Sequence, residues 1–407
     1  MSLRARLIRR IAFVCVICLL LPGCWDRKEL NQIAITSATA IDYKDGQWMV
    51  SYQVVIPSAI SAAMTTVGGG AAKLPVIVYS TQGKTIREAV WKSALESPRR
   101  LFFSHTRVLV VSAAATQQGL TPLIDVYLRN PDSRETVNVL ISEGEARTIL
   151  EQLMQIQIIP GDGIQETMVG EAKDLSILPS IKMYDLAMEL LGSAKSAVLP
   201  EIVISGSPGV TSADALNKTA LSSKLRLGRL AVLGQDKLIG WLSRQEAIGV
   251  GFMRDWVHMT SISFPCNAES REEDSAFRLM QSKTRVTPHK SGNSFVMDIK
   301  VEGEGTLLET NCPVDLNKPD TIKAMEEQIE KKIAADIEES WLAVKKLKSD
   351  IVGFADRIHR KYPKEWKKFS SNWEATFLQI EIRPEVDITI KRTGLSTKSY
   401  KLQTEKD

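Results

Sequence analysis

Histidine is scarce in this 407-residue sequence, with four in all at widely separated positions, His105, His258, His289 and His359. With no HxxxH pair and no CxxC, the ligand spacing of a zinc site is missing. No G-x-S-x-G elbow occurs. Ser104-His105 does not replace it, because adjacent side chains on a strand point to opposite faces and cannot act as nucleophile and base. His105 is therefore expected to be structural, hydrogen-bonded at a sheet edge. Long apolar runs are absent too: the unbroken run at 11–21 has 11 residues, where a span of the hydrocarbon core needs about 20. Charge of one sign is nearly lacking, with 52 Lys+Arg against 48 Asp+Glu and a net +4.

That small excess has an address. Residues 1–23 hold Arg4, Arg6, Arg9 and Arg10 and no acid. A basic start, an apolar core and then small residues are the order of an export signal. Without these four arginines the 52 basic side chains fall to the number of acidic ones, and the rest of the chain is neutral. Leu21-Pro22-Gly23-Cys24 is similar to a bacterial lipobox, whose chemistry needs a small residue before the cysteine and a thiol to take the diacylglycerol. Cys24 is thus the expected lipidation site, fixing the chain to the outer face of a membrane; two or three acyl chains hold stably where one does so marginally. Export also argues against nucleic acid as a partner.

Of five cysteines, Cys15 and Cys18 lie in the apolar run and Cys24 at the lipobox, leaving Cys266 and Cys312. In an exported protein these two either form a disulfide or stay as buried thiols, and the spacing leaves both open. Glu143 and Glu145 invite a paired-carboxylate reading, yet equally suit the first turn of a helix, where carboxylates favour the positive end. The stretch 345–368 holds nine Lys/Arg against three Asp/Glu. Lys345, Lys346, Lys348, Lys361, Lys364, Lys367 and Lys368, with Trp366, are candidates for contact with anionic lipid. The alternative, a solvated face of a helix whose apolar stripe is already covered, is favoured. No cofactor site is expected.

The mature chain reads as α+β and multi-domain, with mixed and antiparallel sheets and packed helices. Two β-forming runs, 33–41 and 48–56, flank a turn containing Asp45-Gly46, a hairpin signal. Residues 58–73, with Gly68-Gly69-Gly70, read as a loop. Strands and short helices then alternate to residue 142, and 143–205 reads as mainly helical, either part of the N-terminal domain at 24–205 or a separate middle domain. Residues 206–225 have linker composition. A C-terminal domain at 226–393 and a frayed tail at 394–407 follow. Ile322, Met325, Ile329, Ile333, Ile337, Trp341, Val344, Leu347 and Ile351 recur at three- and four-residue intervals. That pattern predicts one long amphipathic helix over about 320–351, capped by Asp320 and ended by Gly353.

Several stretches stand out in order along the chain. They begin with Gly23-Cys24-Trp25-Asp26-Arg27-Lys28-Glu29-Leu30 and Gly83-Lys84-Thr85-Ile86-Arg87-Glu88-Ala89. Leu101-Phe102-Phe103-Ser104-His105-Thr106-Arg107-Val108-Leu109-Val110 and Arg129-Asn130-Pro131-Asp132-Ser133-Arg134 follow. Then come Cys312-Pro313, Ser349-Asp350-Ile351-Val352-Gly353-Phe354-Ala355 and Lys361-Tyr362-Pro363-Lys364-Glu365-Trp366. Together these stretches resemble the Ger(x)C family, the lipoprotein C subunits of nutrient germinant receptors in bacterial spores; Pro22 and Ala355 depart from its commonest pattern. The resemblance covers almost the whole chain and implies an α+β, non-enzymatic subunit anchored by Cys24 to the outer face of the spore inner membrane. Its implied partners are two integral membrane subunits and the bilayer, in a complex that responds to small nutrients. The chain's own capture of a nutrient, as a solute-binding lipoprotein, is the alternative left open.

Overall fold

Asp45 and Gly46 both take positive φ, 52° and 75°, the geometry of a tight hairpin turn. They join strand β1 (Ile33–Lys44) to β2 (Gln47–Val55), as expected. The structure is a computed structural model and describes residues 12–13, 32–60, 74–266, 272–394 and 398–404. Cys24 and most of the expected loop at 58–73 lie outside the described residues, and 57–60 are helical.

The chain continues through β3 (Val76–Gly83), α1 (Ile86–Glu96), β4 (Arg100–Phe102), β5 (Val108–Ser112), α2 (Ala113–Gln118), α3 (Thr121–Arg129) and β6 (Asn138–Ser142). Helices α4 (Ala146–Glu151), α5 (Pro160–Asp174) and α6 (Met183–Leu191) precede β7 (Ser196–Gly206). After α7 (Ala213–Leu216) come β8 (Ser223–Gly234) and β9 (Lys237–Leu242). These strands form one sheet in the order β3-β2-β1-β5-β6-β7-β8-β9, with β4 beside one end of β1. Strands β1, β5 and β6 run parallel. Alternation divides their side chains between two faces. Ala38, Ala40, Val108, Val110 and Leu140 meet Ile149 and Leu150 of α4 and Ile164 and Met168 of α5. On the other face, Ile41, Leu109, Val111 and Ile141 meet Ile86 of α1, Leu123 of α3 and Leu186 of α6.

Two stretches where a division was expected are tied into this sheet. The helices of 143–205 form no separate unit, because α4 and α5 cover one face of the sheet, α6 covers the other, and β7 then enters the sheet. Gln53 ties α4 and α5 down, donating to Leu150 O at 2.7 Å and accepting from Gly161 N at 2.9 Å. The segment 206–225 is not a free linker either. It connects two neighbouring strands, β7 and β8, paired antiparallel from Ser196↔Gly234 to Gly206↔Ser223, so the sheet continues across the expected boundary.

Helix α8 (Arg244–Arg254) leads to a second sheet, order β10-β11-β12-β13. Its strands are β10 (Thr260–Phe264), β11 (Ser275–Ser291), β12 (Ser294–Thr310) and β13 (Glu381–Arg392). The long helix α9 (Pro319–Lys346) buries Met325, Ile329, Ile333, Ile337, Trp341 and Val344, the expected stripe. Its opposite ends differ from expectation. Pro319 fills the first position, with Lys318 at the cap and Asp320 in the first turn. The helix stops at Lys346, because Lys348 adopts a left-handed φ of 53° and turns the chain. Ile351 is buried beyond that stop, which is why the apolar period ran on. Gly353, also left-handed at φ 75°, starts α10 (Phe354–Lys361) rather than ending α9.

Helices α11 (Pro363–Phe369) and α12 (Trp373–Leu378), the second burying Phe377, follow. Edge strand β13 is protected by α9: Ile390 N donates to Glu326 Oε1 at 2.8 Å and Ile388 N to Glu330 Oε1 at 3.0 Å. Such contacts occupy donors that an open edge would offer to another strand. Part of the expected frayed tail is held as well: Ser399 N donates to Val314 O at 3.2 Å, before α13 (Tyr400–Thr404).

Candidate interaction surfaces

Two of the sequence motifs, 101–110 and 129–134, converge beside the start of β1. Ser104 Oγ donates to Asp132 O at 2.9 Å, and Arg100 Nη2 lies 2.8 Å from Asp132 Oδ2. Thr36 Oγ1 of β1 donates to Phe102 O at 2.9 Å and lies 2.9 Å from Thr106 Oγ1. Around this corner lie two open cavities. One, of about 450 Å³, is lined by Arg87, Trp91, Arg99, Arg100 and Asn130 among others. The other, of about 740 Å³, is polar and basic, with Arg107, Arg134, Lys182, Asn138 and Gln165 on its walls.

Ser104 and His105 do not form a catalytic pair, since the serine hydroxyl is spent on Asp132. His105 sits in a short 3-10 turn, Phe103–His105, not on a strand, exposed and 5.5 Å from the Phe102 ring. Glu143 and Glu145 have separate partners, Arg229 at 2.7 Å and Lys44 at 3.7 Å.

The 83–89 and 349–355 motifs prove to be helix starts. Thr85 Oγ1 accepts from Glu88 N at 3.1 Å, while Glu88 Oε2 accepts from Lys84 N at 2.8 Å, a reciprocal cap on α1. Asp350, 3% exposed, accepts from Phe354 N at 3.0 Å and Ala355 N at 2.6 Å. Burial outweighs these bonds and pushes its carboxyl up to about 6. Ser349 Oγ donates to Ser196 Oγ at 2.8 Å, fastening the turn after α9 to β7 of the large sheet.

The basic stretch does not present an aromatic to solvent. Trp366 is only 8% exposed, stacked on His359 and edge-on to Trp373, so its candidacy for lipid contact is corrected by its burial. Lys345 lies over Trp341, 5.1 Å from its ring centroid, and its half-buried ammonium has a lowered pKa from desolvation. Lys361 donates to Pro288 O at 2.9 Å and Lys348 pairs with Glu374 at 3.8 Å. Lys346, Lys364, Lys367 and Lys368 are exposed. Cys266 and Cys312 are brought together, their Cα atoms 5.9 Å apart across 46 residues, within disulfide reach.

A constellation that the sequence did not announce centres on Arg229. It meets buried Glu201, exposed Glu143, and the face of Trp241, 4.3 Å from the ring centroid. Its partners are too distant in sequence for local spacing to reveal; the neighbouring Gly228, where a Cβ would collide with Glu201, is the one local sign. Among the described residues no helix is long and apolar enough to cross a membrane.

One sheet is shared by both halves of the chain, and several of the sequence motifs serve as helix caps and strand junctions. Two family models match the chain, one described as "Spore germination protein N-terminal domain" over residues 26–204 and one as "Spore germination B3/ GerAC like, C-terminal" over 228–394. The chain belongs to the Ger(x)C family of spore germination proteins. It is 29% identical over 399 residues to Spore germination protein KC of Bacillus subtilis (strain 168), covering 96% of each chain. To Spore germination protein B3 of that strain it is 22% identical, covering 92% of this chain and 95% of the relative. The crystal structure of the GerBC protein shares the fold, with a TM-score of 0.54 at 15% identity, over 87% of this chain and 96% of that one.

Proposed function

We propose that the chain is the lipid-anchored C subunit of a nutrient germinant receptor, held by diacylglycerol on Cys24 to the outer face of the spore inner membrane. It works there with two integral membrane subunits, supporting receptor assembly or signalling without a reaction of its own. The observation that carries this reading is the pair of family matches, which begin two residues after Gly23-Cys24 and run in order to residue 394. The assignment of Ser104, Asp132, Thr85 and Asp350 to structural bonds fits a binding role. A Cys266–Cys312 disulfide belongs with the exported location. Cys24→Ala is expected to leave the chain unprocessed and without lipid on its N-terminal peptide; normal processing with unchanged membrane fractionation refutes the anchor.

A second reading, capture of the nutrient by this chain itself, has the polar cavity of about 740 Å³ in its favour, a size within the usual ligand range. Calorimetry of the mature chain with amino acids and sugars separates the two, since saturable binding favours direct capture and no heat favours the assembly role.

A further inference from the structure

Strand β1 starts at Ile33, which pairs in parallel with Arg100 of β4. Cys24 precedes Ile33 by nine residues, and nine residues of chain extend at most about 32 Å. A bilayer that holds lipid on Cys24 therefore passes within that reach of the β4 end of the sheet. The other end of β1, at Lys44, lies roughly 36 Å further away along the strand.

Helix α1 starts after Gly83, beside the Lys44 end of β1, and runs back to the β4 end, where Leu95, Arg99 and Arg100 lie; it turns an apolar and basic face to solvent, and one cavity joins Arg87 to Arg100. Arg87, Trp91 and Leu95 recur every four residues on one side of the helix. Trp91 is 70% and Leu95 86% exposed, and the Arg87 guanidinium lies 5.9 Å from the Trp91 ring centroid. Exposed Arg99 and Arg100 complete the corner around the smaller cavity. Its acids are largely occupied: Glu88 pairs with Lys92 and Asp132 with Arg100, each at 2.8 Å, leaving Glu96. Among the described residues no carboxylate pairs with Arg87 or Arg99. An exposed indole and leucine set among guanidinium groups match the headgroup region of a bilayer, where Trp resides at the polar boundary and Arg engages phosphate.

We propose that the corner formed by Arg87, Trp91, Leu95, Arg99 and Arg100 rests on the bilayer and binds anionic phospholipid headgroups. It gives the anchored chain a second membrane contact and a fixed orientation. The placement rests on lipid at Cys24, whereas lipid binding by the corner does not. The test uses the mature chain without lipid, residues 25–407, which contains every strand and helix named above. It is floated with vesicles of phosphatidylcholine plus phosphatidylglycerol, or of phosphatidylcholine alone.

The expected result is preferential, salt-sensitive partition onto the phosphatidylglycerol vesicles. The doubly reversed R87E/R99E chain is expected to lose at least about tenfold in partition, at roughly fivefold for each basic group at an anionic surface. Trp91→Ser is expected to lose partition as well, and K364E/K368E, exposed elsewhere, to retain it, all with unchanged circular dichroism. Equal partition onto both vesicle types, or an R87E/R99E chain that partitions like the parent, overturns the proposal. So does loss of membrane-protein partners by R87E/R99E with vesicle binding intact, which makes the corner a protein interface. Lipid on the Cys24 peptide of spore-derived protein is read separately by mass spectrometry. Its absence alongside intact vesicle binding overturns the anchor and leaves the corner standing.

Discussion

Arg229 closes a two-pronged ion pair on Glu201, with Nη2 2.7 Å from Oε1 and Nε 3.0 Å from Oε2. Its backbone N–H adds a third bond to the same carboxylate at 2.8 Å. Glu201 lies on β7 and Arg229 on β8, so the pair joins the ends of the two family-matched segments within one sheet. Glu201 is 2% exposed, while the Arg229 side chain keeps 36% of its surface in water.

Removing the arginine strands a buried carboxylate. Arg229→Ala is expected to cost about 2–4 kcal/mol, at or below the range for a fully buried pair because water reaches the arginine side. Chemical denaturation measures it, and a double-mutant cycle with Glu201→Gln is expected to show strong coupling. Additive effects contradict the pairing.

Asp350 links stability to pH. Its carboxyl titrates at about 6 in the fold because burial disfavours the charge, against about 3.9 in an unfolded chain. Between those values the folded state binds more protons than the unfolded one, so this group's contribution falls as pH rises from about 4 to about 6 and is flat outside that window. The loss amounts to about 3 kcal/mol for a shift of about two pKa units. Urea midpoints of the parent chain and Asp350→Asn, compared from pH 4 to 7, are expected to converge or cross as pH rises. Parallel curves refute the assignment.

A Cys266–Cys312 disulfide closes a 46-residue separation. Chain-entropy reasoning gives about 4 kcal/mol for a loop of this length. Non-reducing peptide mapping is expected to recover the joined peptides, and reduction to lower the denaturation midpoint. Two freely alkylated cysteines in the untreated, denatured chain contradict the bridge.

Local pattern made parts of this fold legible. The Asp45-Gly46 hairpin and the stripe from Met325 to Val344 are set by neighbours within a few residues, and both were readable. The parallel pairing of β13 with β12 was not, because Val296↔Glu381 joins residues on either side of the whole α9 to α12 region. At 206–225 composition alone does not decide, since Gly-Ser-Pro-rich sequence serves a connection within a sheet as well as a linker between domains. Trp366 looked like a surface aromatic because its flanking lysines are exposed, while its own ring packs on His359 and Trp373. At the α1 corner, Arg87, Trp91 and Leu95 share a stripe at four-residue spacing, on the side away from buried Ile86 and Ala89; which stripe faced solvent depended on where the sheet lay.

The role proposed for this chain is that of an anchored subunit among membrane proteins. Affinity purification of the tagged full-length chain from detergent-solubilised spore inner membranes tests it most directly. Two integral membrane proteins are expected to co-purify in near-constant ratio with the chain, and its N-terminal Cys24 peptide is expected to carry diacylglycerol mass. Recovery of the chain alone, from the soluble fraction and without lipid, contradicts the account.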